Sequence, residues 1–204
     1  MIKQLKIFVQ AIAAGVMIAI GGTVYMICES KLLGAFLFAV GLYMVCMWKF
    51  NLFTGKVGYV VEDKKMWCSL AQIWLGNLCG VAAVGYAMRA TRMYAKMSTS
   101  VTAAVEGKIN DSLFSAFILG IFCGMLMFLA VDTFKNTDSG ALKAVAVILP
   151  IAVFIIAGFN HCIADMFYIS AANMWSLKAL VYILVVTVGN TVGSVIIGLF
   201  KKFR

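Results

Sequence analysis

Apolar runs of roughly 18 to 25 residues recur along the whole chain, each long enough to carry a helix across about 30 Å of hydrocarbon. The runs are continuous rather than alternating, which excludes a transmembrane β-barrel. Of 204 residues, 64% are hydrophobic and only 12% charged, and the mean hydropathy is +1.01. So few charges cannot cover a soluble globule of this length, and the chain reads as an all-α, multi-pass membrane protein. The net charge of +9 does not point to nucleic acid, because the bases are scattered in short loops rather than clustered with aromatic residues. The six cysteines lie mostly inside apolar runs and show no Cys-x-x-Cys spacing, so they read as small core residues rather than disulfides or metal ligands. No cleavable leader stands out: the first apolar segment, preceded by Lys3 and Lys6, is long enough to remain as a span.

Hydropathy between loop markers predicts six spans, at roughly 7–27, 33–60, 67–88, 112–133, 142–170 and 177–200, the second and fifth of them interrupted. The stretch 89–111 reads as a polar connection. An even number of spans puts both termini on one side. Assigning that side as cytoplasmic collects Lys3, Lys6, Lys64, Lys65, Lys135, Lys143, Lys201, Lys202 and Arg204, against Lys31, Arg89, Arg92, Lys96, Lys108 and Lys178 opposite.

A repeat is hidden in this pattern. Gly76-Asn77-Leu78-Cys79-Gly80 in the third span recurs as Gly189-Asn190-Thr191-Val192-Gly193 in the sixth. The copies are offset by three spans, so the halves, approximately 1–90 and 108–204 of a single transmembrane domain, face opposite ways, and such inverted repeats place their binding site at mid-membrane. The competing reading of these glycines is close helix packing alone. The two broken spans occupy equivalent places in the halves. Lys49-Phe50-Asn51-Leu52-Phe53-Thr54-Gly55-Lys56 interrupts the second; Pro150, Gly158, Asn160, His161 and Asp165 interrupt the fifth. Polar or non-helical backbone is tolerated at that depth only where it is buried in protein or lines a wet cavity, so a central pore or site is expected.

At these residues the chain resembles the formate/nitrite transporter family, over nearly its whole length. Leu52-Phe53-Thr54-Gly55 is similar to the loop that breaks the family's second span, and Gly158-Phe159-Asn160-His161 followed by Ala164-Asp165-Met166-Phe167 resembles its fifth-span signature Gly-Phe-Glu-His-x-x-x-Asn-Met. Lys143, Pro150, His161 and the paired Gly-Asn motifs keep the family's spacing. The resemblance implies an aquaporin-like bundle of six transmembrane helices with broken second and fifth helices, assembled as a homopentamer with a pore through each protomer. It implies an outer constriction at Phe38 and Phe154, an inner one at Leu42 and Leu52 with Phe53, and a chamber between them holding Thr54, His161 and Asn190, with Lys108 in the outer vestibule. Four departures bear on the substrate: Asn160 stands where the family has Glu, Asp165 and Gly124 where it has Asn, and Lys56 where it has a small or uncharged residue.

These readings lead to a channel or transporter for a small monovalent anion or its protonated weak acid, in the plasma membrane of a prokaryote, working without cofactor or metal. Its partners are that anion, protons and the bilayer, with no nucleic acid. A bare anion pays heavily to enter a dry aromatic constriction, whereas its neutral acid does not. Lysines at the mouths, Lys108 on one side and Lys143 or Lys56 on the other, would concentrate anions, and His161 is the natural proton donor or hydrogen-bond switch. Asp165 is open among accepting from His161, pairing with Lys56, and lying at the wet interface. Lys56 is open between a pathway role and snorkelling from a half-helix end, and Lys143 between a pathway role and a topology charge. The alternative is a neutral-solute pore of aquaporin type, but the twin Asn-Pro-Ala motif is missing. An enzyme would need a reactive constellation that one histidine does not supply. A purely structural subunit would not need paired broken spans.

Overall fold

The computed structural model describes residues 2–203, so Arg204, one of the charges assigned to the terminal side, lies outside the described residues. Among them every regular element is helical, with no strand. In chain order these are α1 (Ile2–Ile27), α2 (Lys31–Met47), a short α3 (Phe53–Lys56) running into a 3-10 turn at Val57–Val61, α4 (Trp67–Arg89), α5 (Tyr94–Ile109), α6 (Leu113–Lys135), α7 (Gly140–Ile156), α8 (Cys162–Ala172) and α9 (Leu177–Lys201). Four helical stretches, the second being α4 with its preceding turn, are long and apolar enough to cross a membrane: Ile2–Ile27, Lys64–Arg89, Leu113–Lys135 and Leu177–Lys201. Ser30, Ser112, Ser139 and Ser176 start α2, α6, α7 and α9, each side chain accepting a backbone N–H three residues on. This meets one of the unpaired donors every helix start exposes.

The second and fifth predicted segments are each split into two helices, α2 with α3 and α7 with α8. Pro150, expected among the interrupters, lies inside α7; the break comes later, at residues 157–161. Proline withdraws one amide, and the packing of Val147 and Ile151 into the core carries the helix through. The connection 89–111 also differs from expectation: most of it is α5, with Met97, Val101 and Val105 buried along one face against α8.

Polarity is turned inside out relative to a soluble protein. Thr54, Asn77, Asn160, His161, Asp165, Ser170, Asn190 and Ser194 are buried, while α7 exposes Leu142, Val145, Leu149, Val153 and Ile156. An apolar exterior around a polar interior suits a lipid surround. The core forms where α1 packs on α4, α6 on α9 and α2 on α7. Backbones meet closely at two of these crossings: a Cβ on Gly15 would overlap the carbonyl oxygen of Asn77, and a Cβ on Gly124 that of Asn190. That contact explains a small residue at 124, since any side chain would push α6 off α9.

Candidate functional site

The site begins with how two helices stop. After α2, Lys49 adopts a left-handed φ of 55°, its N–H bonds Cys46 O, and Phe50 N–H reaches back to Val45 O. After α7, Gly158 (φ 72°) bonds Ile155 O and Phe159 N–H reaches Phe154 O. Both are Schellman terminations, which satisfy the last carbonyls and turn the chain off the helix axis.

The extended residues that follow are held by two asparagines in matching ways. Asn77 accepts from Phe53 N–H (2.9 Å) and donates to Asn51 O (2.8 Å) and Ala11 O (2.7 Å). Asn190 accepts from Cys162 N–H (2.9 Å) and donates to Asn160 O and Gly120 O (both 2.8 Å). Asn51 N–H bonds Gln10 O and Asn160 N–H bonds Leu119 O, each at 3.3 Å. Broken backbone in an apolar core would otherwise leave the N–H groups of Asn51, Phe53, Asn160 and Cys162 and the carbonyls of Asn51 and Asn160 unpaired. The Gly-Asn motifs therefore supply both the glycine contact and the clamp. The Asn190 amide is taken up by backbone.

The clamped segments bring Thr54 and His161 together. The Thr54 Oγ1 to His161 Nε2 distance is 2.8 Å and both residues are buried. His161 also caps α8, its Nδ1 accepting Ala164 N–H at 3.1 Å. A backbone N–H can only donate, so Nδ1 carries a lone pair, and this bonding pattern assigns the proton to Nε2, which donates to Thr54. Thr54 Oγ1 has no other protein partner among the described residues, leaving its hydroxyl hydrogen for an acceptor from outside the chain. Ser194 donates to the Thr54 and Gly124 carbonyls (3.5 and 3.1 Å) and ties this helix turn to α6 and α9.

Rings close over the pair. Phe154 sits 5.8 Å from the His161 ring, and Phe38 meets Phe154 edge-on at 5.9 Å between centroids. Leu42, Leu52 and Phe53 are buried nearby in the same core. Beyond Phe154 a cavity of about 100 Å³ is lined by His161, Phe154, Lys108, Asp165 and Tyr168. On the side of the termini a cavity of about 660 Å³ is lined by Leu52, Gly55, Lys56, Lys49, Lys135 and Lys143.

Asp165 takes none of its three expected places. Its Oδ1 pairs with Lys108 Nζ at 3.0 Å, and its Oδ2 accepts from Tyr182 at 2.7 Å. The reason is geometric: Asp165 lies in the first turn of α8 facing α5 and α9, away from the α3 end that carries Lys56. Lys108 also donates to Asn160 Oδ1 at 2.6 Å, so one ammonium joins two of the positions where this chain departs from the family pattern.

Residues 2–203 match the sequence pattern described as Formate/nitrite transporter. The chain belongs to that family. It is 26% identical to the formate channel FocA of Haemophilus influenzae, across 96% of this chain and 85% of that protein. With the formate channel FocB of Escherichia coli K12 it shares 31% identity, across 83% and 67% respectively. The nitrite transporter NirC of the same strain is 28% identical, across 79% and 67%. A solved pentameric formate channel with formate bound superposes with a TM-score of 0.84 at 27% identity, covering 98% of this chain and 97% of that one. The expected resemblance is borne out.

Within this formate/nitrite transporter chain, the sequence-predicted residues separate into groups. Thr54, His161, Phe154 and Phe38 converge at the centre, and Asn160 and Lys108 meet just beyond. Lys56 and Lys143 line the terminal-side cavity. Sequence reasoning missed Tyr182, the second Asp165 partner, and the cluster of Tyr59, Asp132, Glu62 and Lys201 beside the larger cavity. Nothing local to any of these residues announces its partner, because each contact joins separate elements. The Met97, Val101 and Val105 spacing did carry a helical signal for α5.

Proposed function

We propose that the chain is a transmembrane channel or transporter for a small monovalent anion or its protonated weak acid: formate, nitrite, hydrosulphide or a short-chain carboxylate. The observation that carries this reading is the buried Thr54–His161 pair, seated between two cavities and covered by Phe38 and Phe154. In this reading α2 with α3, and α7 with α8, are the broken second and fifth of six spans in an aquaporin-like inverted repeat, with halves at approximately 1–90 and 108–204. The matched bonds of Asn77 and Asn190 support that symmetry. The relatives are channels and transporters, which favours transport over catalysis and an anion over a neutral solute. A homopentamer in the bacterial cell membrane, with both termini cytoplasmic, completes the proposal, the pentamer by analogy with the formate-bound channel.

The pathway runs from the Lys108 vestibule past Phe154 and Phe38 to the chamber, and leaves past Leu42, Leu52 and Phe53 toward Lys56 and Lys143. A carboxylate at the rings would lose its water without gaining a counter-charge, so the species that crosses them is neutralised or partly desolvated. The free Thr54 hydroxyl hydrogen meets an anionic oxygen in the chamber. Nε2 of His161 orients that hydroxyl. Because Nδ1 is engaged by Ala164, delivering a proton from His161 would need Thr54 or solvent to replace it on Nε2. Asn190 serves the path indirectly, by fixing Asn160 and Cys162.

Proteoliposome flux of formate, nitrite, hydrosulphide, acetate and lactate across about pH 5 to 8, where histidine titrates and the neutral fraction of each acid falls steeply, tests the reading. Anion flux that responds to salt and acidity is expected. Passage of uncharged solutes alone would overturn it.

A further inference from the structure

The terminal-side cavity holds more positive charge than a path for one monovalent ion requires. Four lysines line its roughly 660 Å³: Lys49, Lys56, Lys135 and Lys143. Its one carboxylate, Glu62, is already held at 3.0 Å by Lys201, which also takes Asp132 at 2.7 Å. None of the four lining lysines makes an ion pair among the described residues. Lys135 and Lys143 rest over the Tyr59 and Phe134 rings, at 4.6 and 5.5 Å, which fixes their ammonium groups at the wall without neutralising them. Lys56 is half-buried, two residues beyond Thr54, and lines the cavity beside Leu52 and Gly55. An ionisable group at such depth without a partner marks a binding place rather than a structural one.

We infer that this cavity is a binding site for a small anion carrying two or more negative charges, an inorganic oxyanion or a dicarboxylate, held by Lys56 with Lys143, Lys49 and Lys135. The inference deepens the transport reading and rests on it for its consequence. The volume is on the order of twenty water molecules, enough for a multivalent ion that keeps part of its hydration. One single charge would offset only one of four ammonium groups, whereas a dianion satisfies two and bridges the walls. A multivalent ion cannot be neutralised by one proton, so it stops at Leu52. Bound there, it occupies the inner end of the path and competes with the permeant anion.

The test uses the purified full chain in detergent, with thermal unfolding followed in sodium phosphate and in sodium succinate against sodium chloride at matched ionic strength. A saturable rise in Tm with either dianion beyond that with chloride is expected; phosphate alone assigns the inorganic source, succinate alone the organic one. Lys56→Gln and Lys143→Gln should each weaken the apparent affinity roughly tenfold, the effect of losing one hydrogen bond to a charged group. Lys56→Arg should keep it, and Lys178→Gln, at the opposite end, should leave it unchanged. No rise beyond chloride, or an undiminished rise in Lys56→Gln, overturns the inference. Flux of formate, nitrite, hydrosulphide, acetate and lactate through the unaltered protein without dianion is measured separately: flux of any of them without a Tm rise sinks this inference alone, and a Tm rise without flux of any sinks the transport reading.

Discussion

His161 and Thr54 are joined by a 2.8 Å hydrogen bond whose direction is set from elsewhere, by the Ala164 N–H that occupies the other ring nitrogen. One imidazole thus caps a helix and orients a hydroxyl, and substitutions can separate the two tasks. Asparagine is a strong cap but is too short to reach Thr54. His161→Asn should therefore keep Tm nearly unchanged while lowering anion flux and altering its dependence on pH. His161→Ala loses the cap as well and should cost a further 0.5–2 kcal/mol or about that. Thermal unfolding beside proteoliposome flux checks both; an unchanged flux–pH curve in His161→Asn would remove the histidine from the transport step.

Much of this arrangement is legible in the sequence because it is built from local signals. The Gly-Asn repeats and the polar interruption before Lys56 are each visible within a few residues. The pairing of Asp165 is not, since Lys108 comes from α5 and Tyr182 from α9, and only tertiary packing brings them to α8. The α5 helix was obscured by Arg89, Arg92, Lys96 and Lys108, which give its segment the polarity of a connection while three apolar residues at helical spacing seat it. Pro150 misled for the opposite reason: proline is a strong breaker locally, but a packed helix absorbs the loss of one amide.

The Lys108–Asp165 pair tests what the charge beside the smaller cavity does. The carboxylate is 2% exposed and the ammonium 23%, so the two are largely withdrawn from solvent. Asp165→Asn frees Lys108 and should raise anion flux several-fold at low ionic strength, with the gain fading as salt screens it. Lys108→Met strands a buried carboxylate and should destabilise by about 3–5 kcal/mol. The double variant should recover most of that loss, and a double-mutant cycle in Tm reads the coupling. Additive effects would show that the pair is incidental.

Asn77 and Asn190 make matching bonds at the two breaks, so their losses should match. Asn77→Ala and Asn190→Ala each leave one N–H and one carbonyl of broken backbone without a partner and also remove a bond to a helix carbonyl, Ala11 O or Gly120 O, which should cost at least about 2 kcal/mol. Asn190→Asp should be worse than alanine, because a second carboxylate oxygen would face the Asn160 and Gly120 carbonyls. Unfolding in detergent measures all three. Full stability in Asn190→Ala would mean that water replaces the clamp.

The two Schellman turns offer a matched pair with opposite signs. Gly158 has open space where a Cβ would go, so Gly158→Ala carries only the strain of a left-handed φ and should cost about 1–2 kcal/mol. Lys49 already bears that strain at φ 55°, and Lys49→Gly should gain about 1 kcal/mol once glycine's greater entropy loss is set against it. Lys49→Ala keeps the strain but removes the same charge, so it separates backbone relief from any change in the lysine-lined cavity. A Tm that rises in Lys49→Gly but not in Lys49→Ala assigns the gain to the turn; an equal rise in both assigns it to reduced repulsion among the cavity lysines.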